Sequence, residues 1–297
     1  MNEPQPERPS GLPHAIGAYV VWGLLPLYLM FLRHVPPFEF VGWRVIFTLP
    51  ICLTIVALRR QGPQVIEALR DRRAVLLLLT SALLIGGNWL VYVSAIAQGH
   101  VLAASLGYYI NPLVNVLAGT LFLGDRLNRL QWAAVAIAGA GVSLLAWEAR
   151  EMLGISLALA GTFCAYGLVR KFVSAGSLPG LTIESAMLMP VGLAIVAWHA
   201  RTPEGVSLGV DPVTDTLLAL SGIVTAIPLL MFAVAARRMD YSTLGFVQFI
   251  APTIVFFLGL FVFHEPLRQV QIVCFVLIWT AIALFSWDLL RKRSATL

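Results

Sequence analysis

The sequence predicts an all-α integral membrane protein with ten transmembrane helices, arranged as two inverted five-helix repeats. Three observations predict it: a composition too apolar for water, ten apolar stretches of spanning length, and an internal repeat whose unit holds an odd number of spans. Of the 297 residues, 59% are hydrophobic and 12% charged, and the mean hydropathy is +0.85. A soluble domain carries about 25% charged residues because its surface must face water. Half that fraction leaves too little polar surface for a soluble fold of this length, so the lipid bilayer is the expected solvent.

A helix needs about 20 mostly apolar residues to cross the hydrocarbon core. The first such stretch, Leu12–Leu32, follows a short, polar, proline-rich tail (1–11) that lacks the features of a cleaved secretory signal. The second, Phe38–Leu58, contains Arg44 and Pro50; the third, Ala74–Ala97, contains Gly86-Gly87-Asn88-Trp89 and Tyr92. The fourth, Val101–Leu123, is interrupted by SLGYYINPLVN, and the fifth, Leu130–Trp147, bears a patch of small residues at Ala136, Gly139, Ala140 and Ser143. Met152–Val169, Leu181–His199 and Thr214–Ala236 are the sixth to eighth, with Glu184 and Pro190 in the seventh. Ser242–Phe263 and Val270–Leu290 complete the set, followed by a basic tail (291–297). Short connections make consecutive helices antiparallel neighbours. No stretch alternates with period two, so a β-barrel is not expected.

Orientation follows from the distribution of Lys and Arg. Arg8, Arg59, Arg60, Arg70, Arg72, Arg73, Arg126, Arg129, Arg170, Lys171, Arg237, Arg238, Arg291, Lys292 and Arg293 fall on one side. Arg33, Arg150, Arg201 and Arg268 fall on the other. The richer side is expected to be cytoplasmic and to hold both termini. The pI of about 9.4 then reflects topology and not a nucleic-acid partner. Cys52, Cys164 and Cys274 lie in separate apolar stretches and read as buried small hydrophobes, and the scattered histidines show no metal-ligand spacing. No metal or other cofactor is expected.

The chain repeats itself. SLGYYINP from Ser105 is answered by TLGFVQFIAP from Thr243, and a constant offset then pairs Gly119 with Gly259, Asp125 with Glu265, Gln131 with Gln271 and Trp147 with Trp287. Spans four and five therefore match spans nine and ten. A five-span unit copied in tandem must insert upside down, which gives halves 12–147 and 152–290 related by a two-fold axis in the membrane plane. Many secondary transporters are built this way, with a midplane site between the halves.

With these residues in view, a family resemblance is clear. GGNWLVYVSAIAQGHVLAASLGYYINPLVNVLAG followed by LGDRLNRLQW, with GLVRK, GIVTAIPLL and STLGFVQFIAPT further along, resembles the RarD-type branch of the EamA-domain transporters. These belong to the drug/metabolite transporter superfamily. The resemblance implies that fold, a bacterial inner membrane, cytoplasmic termini and transport of small solutes. The commoner Gly-Glu turn of the family is replaced by Gly124-Asp125 and His264-Glu265, and both copies keep the acid.

At helical spacing Ser105, Tyr108, Pro112, Asn115 and Gly119 share a face, with Asn111 at its edge. Tyr241, Gly245, Gln248, Pro252 and Gly259 form a thinner counterpart. Pro112 and Pro252 each free a carbonyl one turn back, at Tyr108 and Gln248. Such stripes either line a central site or cross-link two kinked helices through amides. Asn88, Trp89 and Tyr92 suit a partly apolar organic solute, or else a tight helix crossing, and Trp22 and Tyr166 occupy matching places in spans one and six. Arg44 and Glu184 are the charge candidates. Inversion places them toward opposite leaflets, so a direct bond is not expected. Arg44 snorkels outward or meets an anionic substrate group; Glu184 caps a helix dipole or titrates during transport.

The reading is therefore a secondary transporter of a small organic metabolite or drug, with a proton or an exchanged solute left open as coupling partner. The chain acts as monomer or homodimer. A membrane enzyme or a channel is the alternative. The sequence has no phosphate-binding loop and no clustered catalytic acids, so no catalytic residues are assigned.

Overall fold

Hydrocarbon supplies no hydrogen-bond partners, so a chain that crosses it must satisfy each backbone N–H and C=O internally. This one does so with helices. The structure, a computed structural model, describes residues 11–98, 100–148, 150–264 and 268–294, with backbone alone at 101–104, 152, 289–290 and 292–294. The helices are α1 (Leu12–Met30), α2 (Pro37–Leu58), α3 (Gly62–Arg70), α4 (Arg72–Ala97), α5 (Val101–Phe122), α6 (Arg129–Glu148), α7 (Leu153–Phe172), α8 (Ser177–His199), α9 (Pro212–Arg238), α10 (Tyr241–Gln248), α11 (Ile250–Phe261) and α12 (Gln269–Ser294). Among the described residues there is no strand. Nine spans there, with α10 and α11 counted as one, are long and apolar enough to cross a membrane. Helix α5 matches them in length at 22 residues; only the backbone of its first turn, 101–104, is described, and it is not counted among the nine.

Three departures from the sequence expectation have local causes. Helix α3 lies inside the arginine-bearing connection and packs Ala68 and Val65 beside Leu78 of α4 and Ile183 of α8. Its nine residues are too few to register in a spanning-length window. The ninth span is two helices: α10 ends at Gln248, whose carbonyl Pro252 cannot cap. Phe249 N instead donates to Phe246 O (3.2 Å), and Thr253 N to Phe249 O (3.1 Å). Pro112, by contrast, sits inside an unbroken α5. Last, α12 runs on to Ser294, so the basic segment expected as a tail from residue 291 begins on a helix. Arg8 of the leading tail and Glu265 of the repeat lie outside the described residues.

The helices cross where glycine allows it. Helix α2 packs on α8 and α9; α1 on α9, α10 and α11; α4 on α7 and α8; α5 on α7 and α10; and α6 on α12. At the α2–α8 crossing a Cβ on Gly42 would lie 3.2 Å from the Gly192 carbonyl, and one on Gly192 3.1 Å from that of Gly42. Small residues of this kind let backbones approach when no hydrophobic force drives helices together. The α6–α12 seam buries Ala134, Ala138 and Val142 against Cys274, Phe275 and Ile278. The small-residue patch predicted on this span is not that seam: Ala136 and Ala140 are exposed, and nothing lies within 4 Å of a Cβ on Gly139.

Leu121 and Phe122, each 74% exposed, and Leu76 (65%) show where the apolar surplus goes. In the nine spans only 22–50% of the most apolar window is buried. A water-soluble bundle would hide those side chains; here they face lipid.

Gly222 and Gly139 separate the two roles of glycine. A Cβ on Gly222 would strike the Phe47 carbonyl at the α2–α9 crossing. Gly222→Val is expected to cost about 1–3 kcal/mol, seen as earlier thermal unfolding of the solubilised protein. Gly139→Val should leave the melting curve where it was.

Candidate functional site

Burying a charge in a bilayer interior forces it to find partners, and this bundle uses two solutions at its two ends. At the arginine-rich end Glu184, in the second turn of α8, and Arg170, in the last turn of α7, are each 1% exposed. Arg170 Nη1 meets Glu184 Oε1 at 3.3 Å, and Arg170 Nη2 donates to the Ser177 carbonyl at 3.1 Å. Ser81 of α4 donates its hydroxyl to the same Glu184 oxygen. Neighbouring ties seal this end: Lys171 Nζ donates to Met239 O at 2.8 Å, Arg237 to Ala175 O, and Ser242 N to Asp125 Oδ2 at 2.8 Å. One oxygen of the pair, Glu184 Oε2, and one nitrogen, Arg170 Nε, are buried without a partner.

The other end is open. A cleft of about 420 Å³ is lined by Pro26, Leu29, Met30, Arg33, Tyr92 and Phe263. Tyr92 meets Tyr108 of α5 edge to face, with ring centroids 5.9 Å apart. Tyr108 is 49% exposed and meets α4 through this ring contact. Arg44 of α2 lies within electrostatic reach of the Tyr28, Tyr92 and Tyr108 hydroxyls. Its guanidinium lies over the Trp89 ring at 4.3 Å, and Nε donates to Thr225 Oγ1 at 3.2 Å. A narrow void of about 10 Å³, lined in part by Trp89, Thr48, Ser185 and Glu184, lies between the two ends. That is about the room one water requires.

The predicted residues divide accordingly. Arg44, Trp89, Tyr92 and Tyr108 come together. Asn88 supports them from beside Trp89, donating Nδ2 to Leu159 O (2.8 Å) and Thr162 Oγ1 (2.9 Å) of α7. Asn111, Asn115 and Gln248 are 4%, 0% and 4% exposed and are not brought to the cleft. Asn115 Nδ2 donates to Gln248 Oε1 at 2.6 Å, and a Cβ on Gly245 would lie 2.7 Å from the Pro112 carbonyl. Amide cross-link and close crossing tie α5 to α10, the packing role that the two stripes also allowed. Tyr166, 1% exposed, stacks on Phe232; Trp22 sits edge-on to Phe163 at 5.6 Å in the same aromatic group. Glu184 and Arg44 do not touch; each has its own partners.

Sequence reasoning missed Arg170, Ser81, Thr225 and Glu39. Arg170 looked like one more loop arginine, and only α7 running on to Phe172 brings it inside. Glu39, fully buried, accepts from Trp43 Nε1 (2.8 Å), Ser207 N (2.6 Å) and Ser207 Oγ (2.8 Å). It pins the loop between α8 and α9 to the open end. The i, i+4 spacing of Glu39 and Trp43 was the available signal.

A double-mutant cycle tests the amide cross-link. Asn115→Leu and Gln248→Leu should each destabilise by about 1–3 kcal/mol, because each strands a buried polar partner. The double variant should cost clearly less than the sum, as read by thermal unfolding.

The comparisons agree with this architecture. Residues 9–147 match the model of the EamA-like transporter family. An uncharacterized transporter of Vibrio cholerae is 38% identical over 99% of this chain and 98% of its own. Protein RarD of Salmonella typhimurium is 39% identical over 94% and 95%. A crystal structure at 19% identity superposes with a TM-score of 0.73 over 92% of this chain and 96% of that one, a likeness of fold alone. With relatives this similar over nearly their whole length, the chain belongs to the EamA-like transporter family, in the RarD-type branch of the drug/metabolite transporter superfamily.

Proposed function

We propose that this protein is a secondary active transporter that moves a small organic metabolite or drug across the bacterial inner membrane by alternating access. One observation carries the reading: a bundle open at one end to an aromatic, arginine-bearing cleft and sealed at the other by a buried ion pair. A channel has no need of such asymmetry, and a carrier requires it. The Vibrio cholerae relative is named as a transporter, which supports a carrier over a membrane enzyme.

The reading takes α5 as a tenth crossing and 12–147 and 152–290 as inverted halves. Main packing pairs support it. Exchange of α1, α2, α4, α5 and α6 with α7, α8, α9, α10–α11 and α12 returns α2–α8 and α6–α12 to themselves. The same exchange turns α1–α9 into α4–α7, and α2–α9 into α4–α8, all of which are packed pairs. With the basic side and both termini cytoplasmic, the cleft opens outward and the Arg170–Glu184 closure faces the cytoplasm. Trp89, Tyr92, Tyr108 and Arg44 line the path; Asn111, Asn115, Gln248 and Tyr166 hold the helices that form it. The partners are the solute, the bilayer, and a proton or exchanged solute. The functional unit is monomer or homodimer.

Glu184 is the proposed coupling group. Its buried, half-partnered carboxylate borders the water-sized void, and protonation would release its hold on Arg170. The test uses proteoliposomes and solutes that raise the melting temperature of the purified protein. Counterflow should saturate and overshoot equilibrium; flux that equilibrates without overshoot means a channel. In Glu184→Gln, uptake driven by a pH gradient should vanish while counterflow persists. Unchanged flux with unchanged pH dependence would remove Glu184 from coupling.

A further inference from the structure

Behind Tyr92 of the cleft stands a cation, Arg44, with no carboxylate paired to it among the described residues. Arg44 sits about two turns into α2, where an arginine costs roughly 2.5–3.5 kcal/mol on insertion scales. Its counterpart at the closed end, Arg170, is matched by a carboxylate. Arg44 is not: among the described residues the ion pairs are Arg170–Glu184 and Arg268–Glu148. Glu39, on the same helix, is committed to Trp43 and Ser207. What Arg44 does have is the Trp89 ring at 4.3 Å, the Phe40 ring at 5.9 Å and Thr225 on Nε.

Those contacts engage the guanidinium through two rings and Nε, and no hydrogen bond among the described residues occupies its terminal fork. A free guanidinium fork matches a carboxylate through two parallel hydrogen bonds. Arg44 is half-buried and not enclosed. Arg33, 5.8 Å over the Phe263 ring, adds a second positive charge at the mouth. Beside these stand the rings of Trp89, Tyr92 and Tyr108, which offer apolar faces and no negative charge.

We propose that Arg44 is the anchoring residue of an organic-anion site, and that the transported solutes are small monocarboxylates with an aromatic or apolar body. The carboxylate meets the Arg44 fork, and the body lies against Trp89, Tyr92 and Tyr108. The adjoining cleft of about 420 Å³, which Tyr92 also lines, gives a solute of that size its approach. An ammonium in the same place would meet two arginines and no acid. This inference rests on the carrier reading for its transport step and on the cleft alone for its binding step.

Three probes of equal body and different charge test it: 3-phenylpropanoate, 3-phenylpropanamide and 3-phenylpropylamine. Binding is measured by calorimetry on the full chain in phosphatidylcholine nanodiscs, which keeps anionic headgroups away from Arg44. The carboxylate should bind, and the amide and amine should bind weaker by about tenfold or more. Arg44→Gln should remove that preference. Arg44→Lys, which keeps charge but not the fork, should retain part of it. Arg268→Gln should behave as wild type, and thermal unfolding checks that each variant is folded. Absent carboxylate binding, amide binding as tight as the carboxylate, or a preference that survives Arg44→Gln overturns the site. Counterflow of the same probes separates the two claims. Carboxylate binding without counterflow overturns the carrier reading and leaves the site, whereas counterflow of the amide or amine alone overturns the site and leaves the carrier.

Discussion

A charge removed from water must be repaid locally, and that constraint organises this bundle. At the sealed end Arg170 and Glu184 repay one another, with Ser81 and the Ser177 carbonyl assisting. At the open end Arg44 has two rings and one hydroxyl, and no carboxylate pairs with it among the described residues. The two ends differ in how their arginines are satisfied, and that difference makes one closed and the other open. A buried pair is no guarantee of net stability, since desolvation offsets much of the attraction. Its value here is that both partners sit on different helices, α7 and α8, so that separating them means moving those helices.

The crossings that hold the frame belong to a different class of force. Gly42 and Gly192 bring α2 against α8 with backbone nearly in contact, and Gly245 does the same for α10 against the Pro112 carbonyl of α5. Close packing substitutes for the hydrophobic drive that lipid removes. Rigid crossings beside a half-partnered ion pair give the bundle parts that stay together and a part that can be unlocked. In the proposed carrier cycle the first would move as bodies and the second would open.

Much of this was legible residue by residue. Apolar length marked nine of the observed spans, because hydrocarbon thickness sets one number that the chain must meet. Helix α5 was marked by the same apolar length, as Val101–Leu123, with polar residues inside it. Pro252 marked the break between α10 and α11, since a missing N–H is a local fact. The rule failed at Pro112, where the same residue type leaves α5 unbroken with Gly245 packed beside its carbonyl. Of the candidate site, Arg44, Trp89 and Tyr92 were legible as residues that hydrocarbon does not tolerate without a reason.

The sequence by itself determined the solvent, the helices and the positions of intramembrane charge, all of which depend on residue type along a single segment. Only the tertiary structure decided partnership. Asn115 and Tyr108 lie on one face of one helix, yet the first is bonded to Gln248 of α10 and the second meets Tyr92 of α4. Arg170 and Arg44 are the same side chain, yet one has Glu184 within reach and the other has none. A helical wheel gives direction about an axis; it does not say which helix stands there, how close it comes, or whether water lies between.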